Sequence, residues 1–299
     1  MKPLHYDLMQ LTRHNGEGSY ANRANRARGL QQLADELHEQ GYGLKSARNL
    51  APKHVEALVR RWKGAGLTDA TIRNRLGWLR WWSDKVGKPG MLPADNARYG
   101  LAERTRFGGN RAQKLDPETL SRIGDARVAL VLQLEAAFGL RREEALKFRP
   151  IQADRGDRVA LRASWCKGGR YREVMITHSR QRELLDRVRA TVGAGTIIDD
   201  GRNYIQAVKH YENTLMRAGI RNGHGFRHAY AQWRYKVLTG RDCPARGGPT
   251  VDRMTAEEAR RDRSARLEIS HELGHGRLDV TDTYLGRRHA QPGTRESAA

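Results

Sequence analysis

The spacing of apolar residues predicts a helical N-terminal part of the chain. In three segments the apolar residues recur every three or four positions, the period of a helix that buries one face. Thr68 can cap the third of these helices, and Pro52 is tolerated at the first position of the second. Glycines follow the first two segments and end them. The predicted helices cover residues 20–40, 52–64 and 68–86.

The rest of the pattern predicts a larger, mainly helical region with a small β-hairpin. Residues 126–139 are apolar on all sides, as in a helix that lies inside a core. Two short segments of alternating character predict strands, and Gly168-Gly169 between them is typical of a hairpin turn. The strands are predicted at residues 158–163 and 172–176, and further helices at 178–192, 203–218, 224–238 and from 255 onward.

These elements divide the chain into five parts. Residues 1–18 are polar and contain glycine, so a flexible N-terminal arm is expected there. A helical domain is predicted over residues 19–104. Residues 105–114 are rich in Gly and basic residues without periodicity, which is typical of a linker. The second domain is assigned to residues 115–290, and a polar tail to residues 291–299.

The charge balance indicates a polyanionic partner. The 299 residues include 55 Lys and Arg but 34 Asp and Glu, which gives a formal net charge of +21. This excess is unusual for an enzyme of neutral metabolites and suits nucleic acid. No apolar run has the length that crosses a membrane, and the first residues lack the apolar core of an export signal. Two cysteines, Cys166 and Cys243, are too few for a disulfide framework and fit a reducing cytoplasm.

One stretch near the C-terminus allows two incompatible chemistries. Read alone, His271-Glu272-Leu273-Gly274-His275 has the H-E-x-x-H spacing that places two imidazoles on a zinc ion, with Glu272 as the general base of a metalloprotease. Read together with Tyr284, nine positions after His275, the same stretch ends in a nucleophile. The surrounding sequence has to decide between a zinc site and a tyrosine site.

Breaking a phosphodiester without a metal ion needs three functions. A nucleophile attacks phosphorus, fixed cations neutralise the developing negative charge, and an acid protonates the departing sugar oxygen. Arginine suits the second role because its planar guanidinium donates two hydrogen bonds to one phosphate and stays charged. A tyrosine hydroxyl, with an ordinary pKa of about 10, attacks only with help from cations or a base.

The order of short motifs along the chain resembles that of the tyrosine recombinases, or phage-type integrases. Each motif alone is weak, but together, in this order and on these predicted elements, they are specific. The second box has Phe226 where Leu is usual in the family. The matching segments are Gly139-Leu140-Arg141-Arg142-Glu143-Glu144-Ala145-Leu146, Lys167, His224-Gly225-Phe226-Arg227-His228, Leu273-Gly274-His275 and Tyr284.

The resemblance implies a fold and a role for each matching residue. It implies a mainly α protein with a small β-hairpin, in which a SAM-like core-binding domain and a catalytic domain together clamp duplex DNA. Tyr284 would form a 3′-phosphotyrosyl bond, and Lys167 would protonate the 5′ oxygen. The other implied roles are phosphate binding by Arg141 and Arg227, proton transfer or hydrogen bonding by His224 and His275, and support of the site by Glu144.

The resemblance also implies partners. Four protomers would act on paired double-stranded DNA sites and exchange strands through a Holliday junction, without metal, nucleotide or redox cofactor. Integration or excision of a mobile element, with an accessory directionality factor, and relaxation of DNA all stay open. Such work would place the protein at the nucleoid, in the cytoplasm. The arginines expected to contact DNA are Arg73, Arg75, Arg80, Arg106 and Arg111.

Two alternatives and one departure accompany this interpretation. The zinc hypothesis is weakened because Leu278 and Thr281 stand where an extended motif needs Gly and His. A DNA-binding protein that has lost the chemistry would lack one of the boxes, and none is missing. The connection between the second and third boxes is longer than the family usually has. We therefore expect an insertion at about residues 241–263 that contacts DNA or a neighbouring subunit, or forms a surface loop.

Overall fold

The computed structural model describes residues 2–102, 109–199 and 201–290. The chain divides into two compact units, Met1–Thr105 and Arg106–Ala299. The described residues are mainly helical with one two-stranded antiparallel sheet, as the pattern predicts. No helix among them is long and apolar enough to cross a membrane. Arg106, with residues 105–108 of the predicted linker, and the predicted tail at residues 291–299 lie outside the described residues.

The first unit is built from helices that pack around a leucine- and tryptophan-rich core. Thr68 caps the fourth helix by accepting a hydrogen bond from Thr71 N, and Pro52 stands at the first position of the third, both as predicted. Trp62 and Trp82 are 1% and 0% exposed and fill the core. The helices are α1 (Pro3–His14), α2 (Tyr20–Glu39), α3 (Pro52–Gly64) and α4 (Asp69–Lys85).

The prediction of a flexible arm over residues 1–18 is wrong, because α1 occupies most of it. Leu4 and Leu8 lie one helical turn apart, are buried, and join the core that α2 contributes to. Asp7 adds a polar anchor, since its carboxylate accepts hydrogen bonds from Ser46 Oγ and Ala47 N at 2.7 and 3.0 Å. The polar residues between the leucines hide this period in the sequence, but two buried leucines are enough to dock a short helix.

The second unit surrounds one apolar helix. The helix α6 has Val131, Leu132 and Leu134 fully buried, and α11 packs along it. Gly139 ends α6 in the left-handed conformation (φ +60°), which favours glycine. The helices are α5 (Pro117–Ser121), α6 (Ala126–Phe138), α7 (Arg142–Leu146), α8 (Pro150–Ala153), α9 (Ser179–Val192), α10 (Tyr204–Arg217), α11 (His224–Thr239), α12 (Ala256–Glu272) and α13 (Leu278–Leu285).

The β-hairpin is present, and Gly168 and Gly169 lie in its connection as predicted. Strand β1 (Arg158–Leu161) pairs antiparallel with β2 (Arg172–Met175), with Arg158 opposite Met175. Both strands are shorter than predicted, and a 3-10 turn at Ala163–Trp165 lies in the connection between them. Gly168 and Gly169 do have positive φ angles, +76° and +66°. They lie in the loop that carries Lys167.

The predicted insertion is part loop and part helix. Residues 241–254 contain two 3-10 turns, Pro244–Arg246 and Val251–Arg253. Residues from Ala256 onward already belong to α12, capped by Thr255, whose side chain accepts a hydrogen bond from Glu258 N. The irregular segment is therefore shorter than predicted, and we call residues 241–254 the insert loop.

Candidate active site

Helix α13 places the Tyr284 hydroxyl among residues from two other segments, α11 and the turn between α12 and α13. Its oxygen lies 3.2 Å from Arg227 Nε, 3.3 Å from His224 Nε2 and 3.5 Å from His275 Nε2. The tyrosine itself is 5% exposed. The His275 ring stacks on the tyrosine ring, with centroids 5.2 Å apart. Residues that are 60 positions apart in the chain therefore meet at one hydroxyl group.

Arg227 is held by backbone carbonyls. It lies on α11, is 0% exposed, and donates hydrogen bonds to Gly139 O and Leu273 O. Its Nη2 is also 3.2 Å from His275 Nε2. Burial, together with the charges of Arg141 and Arg172, lowers the pKa of Arg227 to about 10. The guanidinium therefore remains protonated at neutral pH, in one orientation fixed by the ends of two helices.

Arg141 and Glu144 form the start of α7. The Glu144 carboxylate accepts from Arg141 N at 2.6 Å and from Arg141 Nη1 at 2.8 Å, so the glutamate caps the helix and orients the arginine at once. Glu144 is 0% exposed. Burial acts to raise the pKa of Glu144, but Arg172 and the other guanidinium groups outweigh it and hold that pKa at about 2.

Arg172 is a site residue that the sequence analysis missed. It begins β2 and donates to both Glu144 oxygens, at 2.7 and 2.6 Å, and to Glu272 O at 2.7 Å. It is 6% exposed, unlike most arginines of this chain. A signal was available: in the alternation of β2, Arg172 shares a face with buried Val174, so its side chain had to point inward.

The histidines of the site are neutral at neutral pH. Partial desolvation of the ring, then the charges of Arg227 and Arg141, lower the pKa of His224 to about 4. The same causes, burial first, lower the pKa of His275 to about 3. His228 lies beneath them, 4.4 Å from the Tyr284 ring centre, and burial lowers its pKa to about 4. Neutral imidazoles can accept a proton, which an imidazolium cannot.

Lys167 lies at the edge of the site. It is exposed on the loop between β1 and β2 and lines a cavity of about 1100 Å³ together with Arg141 and His224. The structure thus groups Arg141, Glu144, Arg227, His224, His275 and Tyr284 directly around one centre and leaves Lys167 on its rim.

The wall of this cavity contains a buried carboxyl group that the sequence analysis also missed. Glu135 on α6 is 2% exposed and accepts a hydrogen bond from Tyr211 Oη at 3.1 Å. Burial raises the pKa of Glu135 to about 8. This pair lies against Gly223, where an added Cβ would be 2.1 Å from Tyr211 Oη. The backbone that leads into His224 therefore depends on glycine at this position.

The zinc hypothesis is wrong on geometry. Helix α12 ends at Glu272, and Gly274 turns the chain with φ +65°, so His275 does not follow His271 on a helical face. The Glu272 carboxylate is occupied by Arg234 Nε and Tyr230 Oη, both at 2.8 Å. Within residues 2–102, 109–199 and 201–290 no three His, Cys, Asp or Glu side chains come together as a metal site.

Three of the arginines expected to contact DNA have partners inside the first unit. Arg75 Nη1 donates to Glu36 at 2.7 Å, Arg80 donates to Pro93 O and Asn96, and Arg73 donates to Ala102 O. These contacts give them a structural role, and their contact with phosphates stays a prediction. Arg111 is exposed, and its charge contributes to the lowered pKa values of His224 and His228.

The fold is a helical unit followed by a unit with a small hairpin, and its site holds a tyrosine among arginines and neutral histidines. Together they define an enzyme that breaks and rejoins DNA strands. The chain belongs to the phage integrase family of tyrosine recombinases. The family model described as phage integrase, N-terminal, matches residues 1–91, and the model described as integrase matches residues 114–233. A search of curated proteins finds no matching sequence.

Solved structures of integrases share the fold. The integrase of transposon Tn1549 in complex with circular intermediate DNA is 15% identical, with a TM-score of 0.58, over 97% of this chain and 97% of that one. A lambda integrase dimer bound to a COC′ core site is 13% identical, with a TM-score of 0.65, over 98% and 80%. The XerH site-specific recombinase bound to difH is 17% identical, with a TM-score of 0.55, over 94% and 80%.

Proposed function

We propose that this protein recombines DNA at specific sites through a covalent bond between Tyr284 and a 3′ phosphate. The placement of the Tyr284 hydroxyl carries the proposal: a guanidinium nitrogen of Arg227 lies 3.2 Å away and the imidazole of His224 3.3 Å away. A nucleophile, a cation to stabilise its oxyanion and a neutral acceptor for its proton therefore meet at one point.

In the proposed reaction the Tyr284 oxygen attacks phosphorus, and the bond from phosphorus to the 5′ oxygen breaks. The phenol proton passes to His224, which is neutral because its pKa is lowered to about 4. Arg141 and Arg227 neutralise the non-bridging oxygens, and Lys167 donates a proton to the departing 5′ oxygen. The phosphotyrosine keeps a phosphoester bond, so a 5′ hydroxyl from another strand can reverse the reaction and rejoin DNA.

The remaining residues act on these groups. Glu144 and Arg172 form an ion pair with 2.6 and 2.7 Å hydrogen bonds that fixes the start of α7 and with it Arg141. His275 lies 3.2 Å from Arg227 Nη2 and 3.5 Å from the tyrosine oxygen, so it can hydrogen-bond a phosphate oxygen beside both. Side chains of the protein supply every role in this scheme, and none is assigned to a metal or an organic cofactor.

We also propose double-stranded DNA as the substrate and a tetramer on paired sites as the working assembly. The net charge of +21 supports the first part. A lambda integrase tetramer bound to a Holliday junction supports the second; it is 12% identical to this chain, with a TM-score of 0.60, over 98% of this chain and 80% of that one. Similarity to transposon and lambda integrases favours integration or excision of a mobile element. We further propose that the protein acts at the nucleoid and that an accessory factor sets direction.

Covalent trapping tests this proposal. The protein is incubated with a library of nicked duplexes labelled at the 5′ end of the cleaved strand, in EDTA, and then denatured. We expect a labelled protein band for the wild type and none for Tyr284→Phe. Tyr171→Phe is a matched control, because Tyr171 is 57% exposed on the hairpin loop, and it should keep the band.

Two results would contradict the proposal. A band that persists in Tyr284→Phe would place the nucleophile elsewhere. Retained DNA binding without any covalent band, across the whole library, would favour the alternative of a DNA-binding protein that has lost its chemistry.

A further inference from the structure

We propose that residues 286–290, which directly follow α13, form a strap that the same chain holds in place, and that this strap positions Tyr284 for attack. The proposal rests on the proposed function, because it concerns how the nucleophile of that reaction is held. The strap is fastened at two points, to the insert loop (residues 241–254) and to Asp262 on α12.

The insert loop holds the strap through one backbone group and one carboxylate. Val251 N donates to Arg288 O at 2.9 Å, and Ala290 N donates to the Asp252 carboxylate at 2.7 Å. The ring of His289 lies 3.1 Å from the same carboxylate. Residues 251 and 252 thus hold residues 288–290 through one backbone hydrogen bond and two contacts of the Asp252 carboxylate, so the loop has a defined partner within the chain.

Gly286 brings the other end of the strap against the insert loop. Its φ is +84°, and an added Cβ would lie 2.6 Å from Ala245 N and 3.0 Å from Pro244 C. Both atoms are backbone, which cannot move aside as a flexible side chain can. This close approach allows glycine and no larger residue. The first 3-10 turn of the insert loop therefore packs directly against Gly286, the residue that follows α13.

Asp262 fastens the strap from the side of α12. Asp262 is 1% exposed, and its Oδ2 accepts from Arg288 Nε at 2.9 Å. Its Oδ1 accepts from Arg266 Nε at 2.9 Å and from Tyr235 Oη at 2.8 Å. Arg288 also donates to Ala259 O at 3.2 Å. A buried carboxylate with partners on α11, α12 and the strap is a fixed anchor rather than a surface ion pair.

Arg266 connects Asp262 to α13, the helix that carries Tyr284. It is 1% exposed and donates through Nη1 to Asp282 at 2.7 Å and to Gly286 O at 3.1 Å. Asp282 lies two residues before Tyr284. Helix α13 has eight residues and follows Gly276, whose φ is +68°. A helix this short is not stable by itself, so its tertiary contacts set its position.

Two variants loosen the strap by different means, and a third serves as control. Arg288→Ala removes the bond to Asp262, and Gly286→Ala forces the strap off the insert loop. Arg261→Ala is the control: it loses the same charge from an exposed site on α12, where Arg261 pairs only loosely with Glu257 at 3.3 Å. Asp252→Ala, at an exposed position, is a milder variant that should fold even if the others do not.

The measurements are DNA affinity, the single-turnover rate of covalent complex formation at saturating protein, and hydrogen exchange at residues 278–290. In Arg288→Ala we expect the rate to fall by about tenfold to a hundredfold, the effect of losing a hydrogen bond to a charged group. Gly286→Ala should also lower the rate, because its added Cβ clashes with the backbone of the insert loop. Affinity should stay within about twofold of the control, since phosphate contacts set it. Exchange in α13 should accelerate. Arg288→Lys should restore part of the rate.

Different outcomes separate this proposal from the proposed function. If the wild type never forms the covalent complex, the recombinase function fails, while the exchange data still report whether the strap holds α13. If the wild type is active and the strap variants, Asp252→Ala included, match Arg261→Ala in rate, the positioning role is refuted. Unchanged exchange in α13 refutes the strap itself.

Discussion

Replacing Arg172 offers the sharpest check on how the site is held together. Its side chain is 4% exposed and meets the 0% exposed side chain of Glu144 through two hydrogen bonds. In Arg172→Met a side chain of similar length fills the space without the charge. Glu144 then keeps its hydrogen bonds from Arg141 but loses the two from the Arg172 guanidinium, while its carboxylate stays buried. A buried carboxylate that loses its main partner is costly, so the second unit should lose stability and Arg141 its orientation.

The expected loss is about 3–5 kcal/mol, the usual effect of removing one partner from a buried ion pair. Such a loss is large against a total stability of about 5–15 kcal/mol. The double variant Arg172→Met, Glu144→Leu removes both charges and should recover about 2–3 kcal/mol of this, because apolar side chains tolerate burial. It should not recover everything, since Glu144 also accepts the Arg141 N–H at 2.6 Å and a lost cap costs about 1 kcal/mol.

The free energy of unfolding of the second unit can be measured separately from that of the first by following hydrogen exchange of α6 and α11 amides as urea is added. The pH dependence adds a second check. The pKa of Glu144 is lowered to about 2, so its stabilising contribution is present above its ordinary pKa and lost only as pH falls toward 2. In Arg172→Met the pKa of the Glu144 carboxyl rises, because burial then acts without the Arg172 guanidinium, so the difference from wild type should shrink as pH falls from 7 to 5. A coupling energy under about 0.5 kcal/mol, or a pH-independent difference, would refute this reasoning.

Three further predictions test other parts of the structure. Gly139→Ala should destabilise the second unit by about 2–4 kcal/mol in urea unfolding, since φ is +60° and the new Cβ would lie 2.5 Å from the Tyr230 ring; a neutral effect would contradict the geometry. Burial raises the pKa of Glu135 to about 8, so its protonated form stabilises the fold at low pH and this contribution is lost as pH rises through 8. The melting temperature of Glu135→Gln, relative to that of the wild type, should therefore increase as pH rises from 5 to 8. A difference that does not change with pH would argue against a buried neutral carboxyl. DNA affinity, measured by fluorescence anisotropy, should fall by about a thousandfold between about 50 and 200 mM salt if six or more phosphates are contacted, and a flat response would remove the basic surface from the interface.

Much of this organisation follows from local patterns. Caps and glycines mark the helix boundaries, so α3 and α4 begin and end close to the predicted positions. Gly139 and Arg141 belong together in sequence because the end of α6 and the start of α7 are one turn of chain. The tyrosine and its two histidines were predicted through family resemblance, and the structure brings all three together.

What was missed depends on contacts between distant segments. Arg172 is one arginine among many until its strand pairs and its face turns inward. The partner of Glu135 is 76 residues away, so no local pattern reports their pairing. The arm at residues 1–18 was misjudged because the stability of α1 comes from the surface it docks on, which composition does not describe. The insert loop was recognised by length, but its partner, the strap, has no sequence signature.

The charge of the site ties the fold of the enzyme to its substrate. Arg141, Arg172 and Arg227 converge on a region where Glu144 is the ionised carboxylate, because Glu135, with its pKa raised to about 8, is mostly neutral at pH 7. The protein without DNA thus holds an unbalanced pair of positive charges in its interior. A phosphate bound there, as in the proposed reaction, would supply a counterion, and any ligand that binds the folded state alone also stabilises it. Adding further arginines to such a centre would strengthen phosphate binding, but it would also lower the free energy of unfolding of the DNA-free protein through charge repulsion. The stability of the DNA-free fold therefore limits how tightly the site can bind phosphate.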